Sequence, residues 1–255
     1  MTASTERFGD RVADYVRTRP GYPDALVTLL TRELGLSPAT TRVVDVGSGT
    51  GLSALPFLRA GFAVTGVEPN AGMRAAAEDL LRDEPRFTSV AGTAEQTTLP
   101  DTAADLLIAA QAFHWFDRAA ARAEARRVLA PGGHAALVWN DRRLVGDAFH
   151  EGYEAALLRW GTDYQAVRHD QVGEAALAAF FGDAPRSAVL DNHQDLDREG
   201  LVGRALSSSY VPKAGQPGHE PLMNELDRLF SAHAREGRVR IVYDTRVWFG
   251  PLTAR

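Results

Sequence analysis

Short apolar runs alternate with longer alanine-rich segments between residues 42 and 140, and this alternation constrains the fold more than any other feature of the chain. The runs, which predict buried strands, are RVVDV (42–46), GFAVTGVE (61–68), RFTSV (86–90), DLLIAA (105–110) and HAALVWN (134–140). The segments between them are typical of helices. Apolar strands that alternate with helices predict an α/β fold with a mainly parallel sheet, covered by helices on both faces.

Flanking segments extend this core at both ends. Residues 6–18 and 23–34 predict two helices ahead of the first strand. Residues 141–181 are helical in pattern and rich in aromatic side chains, which indicates an insertion over the C-terminal edge of the sheet. Residues 182–255 predict a strand pair that completes the sheet, so we expect a single domain. A separate C-terminal domain is the weaker alternative, because neither half of this last segment looks able to bury a core alone.

Composition narrows the possible functions. The 255 residues include no cysteine and one lysine, Lys213, which excludes disulfides, thiolate metal sites and the lysine of a phosphate-binding P-loop. The formal net charge is −5 without a basic run, so no nucleic-acid partner is expected. No apolar stretch approaches the about 18 residues of a membrane span, and the N-terminus lacks the apolar core of a signal peptide. We therefore expect a cytoplasmic protein with no membrane partner.

The segment VVDVGSGTG (43–51) leads from a predicted strand into Gly47, Gly49 and Gly51. Glycine has no Cβ and tolerates positive φ, so this loop lets the backbone approach a ligand closely. In a doubly wound sheet, the first strand–helix turn lies beside the point where ligands bind. Glu68 ends the next predicted strand, where a carboxylate can accept hydrogen bonds from a ribose diol. The pattern predicts a cofactor that contains adenosine.

Two classes of cofactor fit the loop. GTGLSA (49–54) matches the dinucleotide pattern G-x-G-x-x-A, which indicates NAD. DVGSGTG (45–51) places an acidic residue inside the strand, two positions before the first glycine. This second pattern resembles the first motif of class I S-adenosylmethionine (SAM)-dependent methyltransferases, and VTGVEPN (64–70) resembles their second motif.

Other segments extend this resemblance over roughly residues 8–140. GTAEQTTLP (92–100) is similar to the loop after the third strand of that family, and EARRVLAPGGHAALVWN (124–140) is similar to its last parallel strand with the preceding helix. YVRTRPGYP (15–23) and QAFHWF (111–116) resemble the trans-aconitate-type branch of small-molecule methyltransferases. The resemblance implies a Rossmann-like, seven-stranded doubly wound sheet with N-terminal helices, residues 36–140 as the SAM-binding core and residues 141–181 as the substrate cap.

The resemblance also implies a set of cofactor-binding residues. They are Tyr15, Arg19, Asp45, Gly47, Ser48, Gly49, Gly51, Glu68, Pro69, Thr93, Ala94 and Gln111. Asp45 is expected to order the loop or to reach the methionine ammonium, and the alternative is a helix cap. Arg19 is expected to pair with the methionine carboxylate, and the alternative is that it ends a surface helix. Thr93 stands where many relatives carry an Asp that binds the adenine amino group, which leaves the backbone at Ala94 for that contact.

Acceptor binding is expected from Tyr22, His114, Trp115, Asn140 and Tyr210. His114 is the candidate catalytic base, because imidazole alone titrates near neutral pH without perturbation; the alternative is a histidine that only packs at the start of a helix. Asn140 contacts the acceptor or caps the following turn.

Aromatic residues of the cap favour an apolar acceptor, or form the core of the cap itself; they are Phe149, Tyr153, Trp160, Tyr164, Phe180 and Phe181. LDNHQD (190–195) gathers two aspartates and a histidine, but they fall on a predicted half-exposed strand, so no metal site is expected.

The sequence therefore predicts SAM-dependent methyl transfer to a small organic acceptor, with oxygen preferred over nitrogen and carbon and S-adenosylhomocysteine as the second product. Biosynthetic or tailoring metabolism is the expected setting, for a monomer or homodimer. One alternative is an NAD-dependent oxidoreductase, although the chain lacks a Tyr-x-x-x-Lys pair. The other is a protein of the same fold that works as a cyclase or binding subunit without methyl transfer.

Overall fold

The structure, a computed structural model, describes residues 18–162, 164 and 173–253. The strands are β1 (Arg42–Val46), β2 (Ala63–Val67), β3 (Phe87–Val90), β4 (Ala104–Ala110), β5 (Leu129–Arg142), β6 (Arg186–Leu196) and β7 (Val239–Pro251). The α-helices are α1 (Asp24–Leu34), α2 (Ala54–Arg59), α3 (Ala71–Leu80), α4 (Arg118–Val128), α5 (Ala148–Trp160), α6 (Glu174–Phe181), α7 (Arg198–Leu206) and α8 (His219–His233). Tyr15 and most of the helix predicted over 6–18 lie outside the described residues.

The strands form one seven-stranded sheet in the order β3-β2-β1-β4-β5-β7-β6. The first five are parallel, whereas β7 runs antiparallel to both β5 and β6. This arrangement confirms the predicted Rossmann-like, doubly wound α/β fold. Because the chain turns from β1 towards β2 on one side and β4 lies on the other, the loop after β1 opens at the topological switch point.

Local sequence signals fix several helix ends. α1 follows Pro23 and ends at Gly35, whose φ of 65° is the left-handed conformation that glycine adopts most easily. Asp117 caps α4 by accepting hydrogen bonds from the backbone N–H groups of Ala119 (3.1 Å) and Ala120 (3.2 Å). None of the helices in the described part of the chain has the length and apolar composition that a bilayer-crossing segment needs.

Two apolar layers cover the sheet, because successive strand residues point to opposite faces. On one face, Val44 and Val46 pack in a cluster that includes Phe113, Val128, Leu177, Phe180 and Phe181. On the other face, Val43 packs in a cluster that includes Leu26, Leu30, Phe57, Ile108 and Phe249. The C-terminal ends of β1 and β4 emerge between these layers, and the candidate site is built there.

A third apolar cluster forms the helical cap, and it draws on two separate segments of the chain. The cluster joins α5, α7 and α8 through Phe149, Tyr153, Leu157, Leu201, Leu222, Leu226 and Leu229. From the described part of 141–181, α5 and Tyr164 belong to it, whereas α6 packs against α4 and the sheet. Residues 198–233, which lie in the segment predicted to complete the sheet, supply α7 and α8. The cap aromatics Phe149 and Tyr153 are buried as core.

Candidate active site

The three glycines after β1 adopt positive φ angles of 69°, 54° and 83° at Gly47, Gly49 and Gly51. A Cβ atom on Gly47 would lie 2.6 Å from Cβ of Ala112, and one on Gly51 would lie 2.7 Å from Cδ1 of Leu81. A Cβ on Gly49 would meet no atom of the described chain within 4 Å. The outer glycines are therefore required by packing, and the central glycine faces open space.

Glu68 lies directly beside this open glycine. One carboxylate oxygen accepts the Gly49 N–H at 3.1 Å, and the other accepts the N–H of Asn70 at 2.9 Å. Burial raises the pKa of Glu68, while these two hydrogen bonds and the charge of Arg74 oppose the rise. Arg74 also donates to the carbonyl groups of Glu68 (2.8 Å) and Pro69 (2.9 Å), which fixes the end of β2. Each oxygen of the carboxylate retains a lone pair for a ligand hydroxyl.

Asp45 lies beneath the loop and has no exposed surface. One carboxyl oxygen accepts a hydrogen bond from the hydroxyl of Ser53 at 2.5 Å, and Oδ1 has no hydrogen-bond partner among the described residues. Burial raises the pKa of Asp45 to about 7, helped by the charge of Glu68 and opposed by the Ser53 bond. Ser48 and Thr50 are buried in the same loop. Asp45 thus orders the loop through Ser53 and keeps one oxygen available.

Gln111 follows β4 with a φ of 54°, which is uncommon for a residue that is not glycine. Its N–H donates to the carbonyl of Val138 at 2.9 Å, and its side-chain amide donates to the carbonyl of Asn140 at 3.0 Å. Its side-chain oxygen is buried without a partner in the described part of the chain. The backbone therefore turns sharply here and presents an acceptor oxygen at the lip of the site.

The aromatic segment after Gln111 contacts the glycine loop, and its side chains differ in burial. A Cβ on Gly47 would lie 3.6 Å from the Phe116 ring, so the segment abuts the loop. Phe113 is buried in the core, 4.8 Å from the Phe180 ring. His114 is half-buried with its ring 4.8 Å from that of Trp115, and Trp115 is 43% exposed. The predicted base and one aromatic residue thus remain accessible.

The loop after β3 is anchored by a residue that sequence reasoning missed. Glu124 accepts hydrogen bonds from the N–H (2.8 Å) and hydroxyl (2.6 Å) of Thr97 and pairs with Arg127 at 2.7 Å. The Arg127 guanidinium, above all, lowers the pKa of Glu124 to about 2. Thr93, the predicted adenine neighbour, is exposed, and Ala94 is buried in the core.

The segment 18–22 crosses the C-terminal edge of β5 and β6. Gln194 donates to the carbonyl of Thr18 at 3.0 Å, and Arg19 donates to the carbonyl of Ser207 at 2.7 Å. Tyr22 packs partly against the apolar layer beneath α1. The contacts predicted for Arg19 and Tyr22 with the methionine carboxylate and the acceptor stay predictions.

Asn140 connects this segment to the sheet. Its amide nitrogen donates to the carbonyl of Gly21 at 3.1 Å, and its oxygen accepts from Thr245 (2.5 Å) and Asn192 (3.2 Å). These contacts bring together β5, β6, β7 and the N-terminal segment. Long-range strand pairing is the signal for these contacts, and the acceptor contact or turn cap predicted for Asn140 stays a prediction.

A polar cluster beneath the cap was also missed. Arg142 and Arg204 are largely buried there, and Tyr164 and Glu154 hydrogen bond to each other at 2.5 Å. Tyr210, a predicted acceptor contact, belongs to this cluster, with its ring 4.8 Å from that of Tyr164.

The acidic residues of LDNHQD are engaged in ion pairs. Asp191 pairs with Arg143 at 2.9 Å and Asp195 with Arg240 at 2.7 Å. Within the ranges that the structure describes, no three His, Asp or Glu side chains form a group that could hold a metal ion.

Comparison with known proteins shows similarity to methyltransferases. Residues 44–137 match the family model of a methyltransferase domain. A curated uncharacterised methyltransferase of Mycobacterium tuberculosis (strain H37Rv) is 40% identical over 136 residues, which cover 53% of this chain and 52% of that protein. An uncharacterised methyltransferase-like protein of Schizosaccharomyces pombe is 36% identical over 138 residues, with the same coverage. The chain thus matches about half the length of these curated relatives.

Solved structures extend the similarity along the chain. A protein described as a type II methyltransferase of Anaeromyxobacter dehalogenans has a TM-score of 0.68 and 25% identity, covering 93% of this chain and 99% of its own. A protein of Anabaena variabilis, described as a methyltransferase of an antibiotic biosynthesis pathway, has a TM-score of 0.60 and 20% identity, with 92% and 99% coverage. The chain therefore has the Rossmann-like fold of these methyltransferase structures, and its residues 44–137 are similar to a methyltransferase domain.

Proposed function

We propose that this protein transfers the methyl group of SAM to a small organic molecule, with oxygen preferred over nitrogen and carbon as the acceptor atom. The observation that carries the proposal is the open side of the glycine loop. Gly49 faces free space there and donates its N–H to the half-buried carboxylate of Glu68. A carboxylate that follows β2 at the switch point is well suited to the ribose diol of an adenosine cofactor.

The polar atoms around the loop fit the remainder of SAM. Oδ1 of Asp45 and Oε1 of Gln111 are buried acceptors with no donor among the described residues. Acceptor oxygens at such positions suit the cationic ammonium and sulfonium groups of the cofactor. When bound, SAM supplies an electrophilic methyl group on a positively charged sulfur. We propose S-adenosylhomocysteine as the product that remains at the same residues.

The acceptor side is served by His114 and Trp115. Methyl transfer is an in-line displacement, so the protein accelerates it chiefly by aligning the acceptor atom and excluding water. His114 takes the proton of an acceptor hydroxyl, and the ring of Trp115 covers the acceptor. QAFHWF and YVRTRPGYP support placement near the trans-aconitate-type enzymes, in biosynthetic or tailoring metabolism. We further propose a cytoplasmic monomer or homodimer.

Calorimetric titration with SAM, S-adenosylhomocysteine and NAD tests the cofactor assignment. We expect SAM to bind and NAD to give no signal. Glu68→Gln should weaken SAM binding by about 10-fold or more, since a charged acceptor of two hydroxyl groups becomes a neutral amide. Glu78→Gln, an exposed change on α3, is the matched control. NAD binding without a SAM signal would establish the oxidoreductase alternative instead.

Methyl-labelled SAM, offered with a panel of phenols, carboxylic acids and amines, tests the transfer step and identifies the acceptor atom from the labelled product. His114→Asn should lower kcat by 100-fold or more on a hydroxyl acceptor and flatten the pH profile near neutrality. Full turnover by this variant would make the histidine part of the scaffold, with methyl transfer by alignment alone. SAM binding without any transfer would favour a cyclase or binding subunit.

A further inference from the structure

Arg142 lies at the end of β5, and its side chain is 9% exposed. Its Nη2 donates to the hydroxyl oxygen of Tyr164 at 3.0 Å and pairs with the carboxylate of Glu154. Its guanidinium carbon lies 4.8 Å from the ring centroid of Tyr153. Its Nη1 is buried and has no hydrogen-bond acceptor among the residues that the structure describes. One face of this buried cation therefore lacks a partner that its chemistry demands.

Arg204, on α7, is a second buried cation in the same cluster. It is 7% exposed, and it donates to the hydroxyl groups of Tyr243 (3.1 Å) and Ser208 (3.0 Å), which are both neutral. Tyr153, which the Arg142 guanidinium overlies, and Tyr243, which Arg204 contacts, belong to the same apolar cluster. Each guanidinium group thus lies against a tyrosine of one cluster.

The charges of this cluster do not balance within the described part of the chain. Two guanidinium groups, which stay protonated at any physiological pH, accompany the single carboxylate of Glu154. A buried cation without a counter-ion is strongly unfavourable, whereas a bound anion would both neutralise it and supply the missing acceptor. The arginine fork also matches the geometry of carboxylate and phosphate oxygens.

Strand β5 connects this cluster to the candidate site. Arg142 follows Asn140 by two positions on β5, so the two side chains share one face of the sheet. The carbonyl of Asn140 in turn holds the side chain of Gln111 at the lip of the cofactor site. Arg142 therefore stands two positions along β5 from the residue that holds this lip.

We propose that Arg142 and Arg204 bind an anionic group, a carboxylate or a phosphate, carried by the methyl acceptor. That the bound molecule is the methyl acceptor rests on the proposed methyl transfer. That it carries an anionic group rests on the excess of positive charge and on Nη1 of Arg142, which has no acceptor among the described residues. The acceptor is accordingly a small anion with an apolar or aromatic part against the tyrosines, rather than a wholly apolar molecule.

Titration of the wild-type protein with benzoate, phenyl phosphate and the neutral benzamide tests the site without any variant. We expect at least one anion to bind 10-fold or more tightly than benzamide and to raise the thermal midpoint. The comparison of benzoate with phenyl phosphate distinguishes a carboxylate from a phosphate. Equal binding of all three, or no anion binding by a protein that binds SAM, would overturn the proposal. Anion preference without SAM binding would support the anion site and refute methyl transfer.

Arg142→Met and Arg204→Met locate the site. Each should reduce the preference for the anion over benzamide by 10-fold or more and leave SAM affinity unchanged. Arg143→Met is the matched control, because the neighbouring Arg143 is half exposed and pairs with Asp191 and Asp244. Retained preference in Arg142→Met would overturn the assignment. If that variant does not fold, the wild-type comparison of anions with benzamide decides the matter.

Discussion

The ionisation of Asp45 should make this protein lose stability as pH rises towards neutrality. The side chain is fully buried, and burial raises its pKa in the folded protein to about 7, from an ordinary value of 3.8. Between these two values, the folded state holds a proton that the unfolded state has already released. The free energy of unfolding therefore falls with rising pH across this window, and the loss is complete above the folded pKa.

The size of the effect follows from the separation of the two pKa values. Each pH unit between them corresponds to about 1.4 kcal/mol, so the destabilisation reaches about 4 kcal/mol above pH 7. Asp45→Asn cannot ionise, yet its amide oxygen can still accept the hydrogen bond that Ser53 donates at 2.5 Å. The variant should therefore gain stability relative to the wild type as pH rises from 4 to 8, by up to about 4 kcal/mol.

Urea unfolding, followed by circular dichroism at intervals from pH 4 to pH 8, measures this difference. The test uses only how the difference in free energy of unfolding between variant and wild type changes with pH. An effect of the substitution that is the same at every pH therefore cancels. Asp83→Asn, an exposed substitution after α3, is the control and should give a curve parallel to that of the wild type. A parallel curve for Asp45→Asn as well would refute the reasoning, since the folded and unfolded states would then hold the same number of protons at this carboxyl group.

The same carboxyl group should link pH to the proposed binding of SAM. A cationic ligand near Oδ1 favours the ionised form, so binding of SAM near pH 6.5 should release a proton from Asp45. Calorimetry in two buffers of different ionisation enthalpy detects this proton. Asp45→Asn should abolish the release and also weaken SAM binding.

Three further substitutions probe the scaffold. Gly51→Ala should lower the free energy of unfolding by more than Gly49→Ala does. Both substitutions introduce about 1–2 kcal/mol of positive-φ strain, and Gly51→Ala adds a clash with Leu81. Equal losses of stability in urea unfolding would contradict this packing argument. Asp117→Ala should cost about 1 kcal/mol through the lost cap of α4, measured in the same way. Glu124→Gln should reduce stability at pH 7, and its difference from the wild type should fade as pH falls from 4.5 through about 2, where the wild-type carboxylate becomes protonated.

The sheet was predictable because its signals are local. Buried parallel strands are largely apolar, and each of the five predicted runs corresponds to a strand, although β3 at the edge of the sheet is only partly buried. The cap was not predictable in the same way. The apolar faces of α5 and α6 indicate that each helix is buried, but not against what, and these two sequence neighbours pack in different clusters. α7 and α8 join the cap from a distant part of the chain.

The same contrast between local and long-range signals applies to the candidate site. The glycine loop and Glu68 are adjacent segments of one strand–helix–strand unit, so their meeting follows from the sequence pattern. Arg142 and Arg204 come together only through the cap. The sequence carries a weak signal for Arg142. This residue stands two positions after Asn140 on β5, so both side chains lie on the same face of the sheet. Nothing in the local pattern separates Arg204 from the other arginines of surface helices.

Gln111 joins the two halves of the site, and its backbone explains how. A left-handed conformation in a residue other than glycine costs about 1–2 kcal/mol, so it persists only where the surroundings enforce it. The enforcing contacts are its two hydrogen bonds to the carbonyl groups of Val138 and Asn140 on β5. Asn140 is itself fixed by Thr245 and by the carbonyl of Gly21. The turn beside the glycine loop therefore depends on β5, β7 and the N-terminal segment together, and a change at Asn140 should disturb the proposed methyl transfer through this turn.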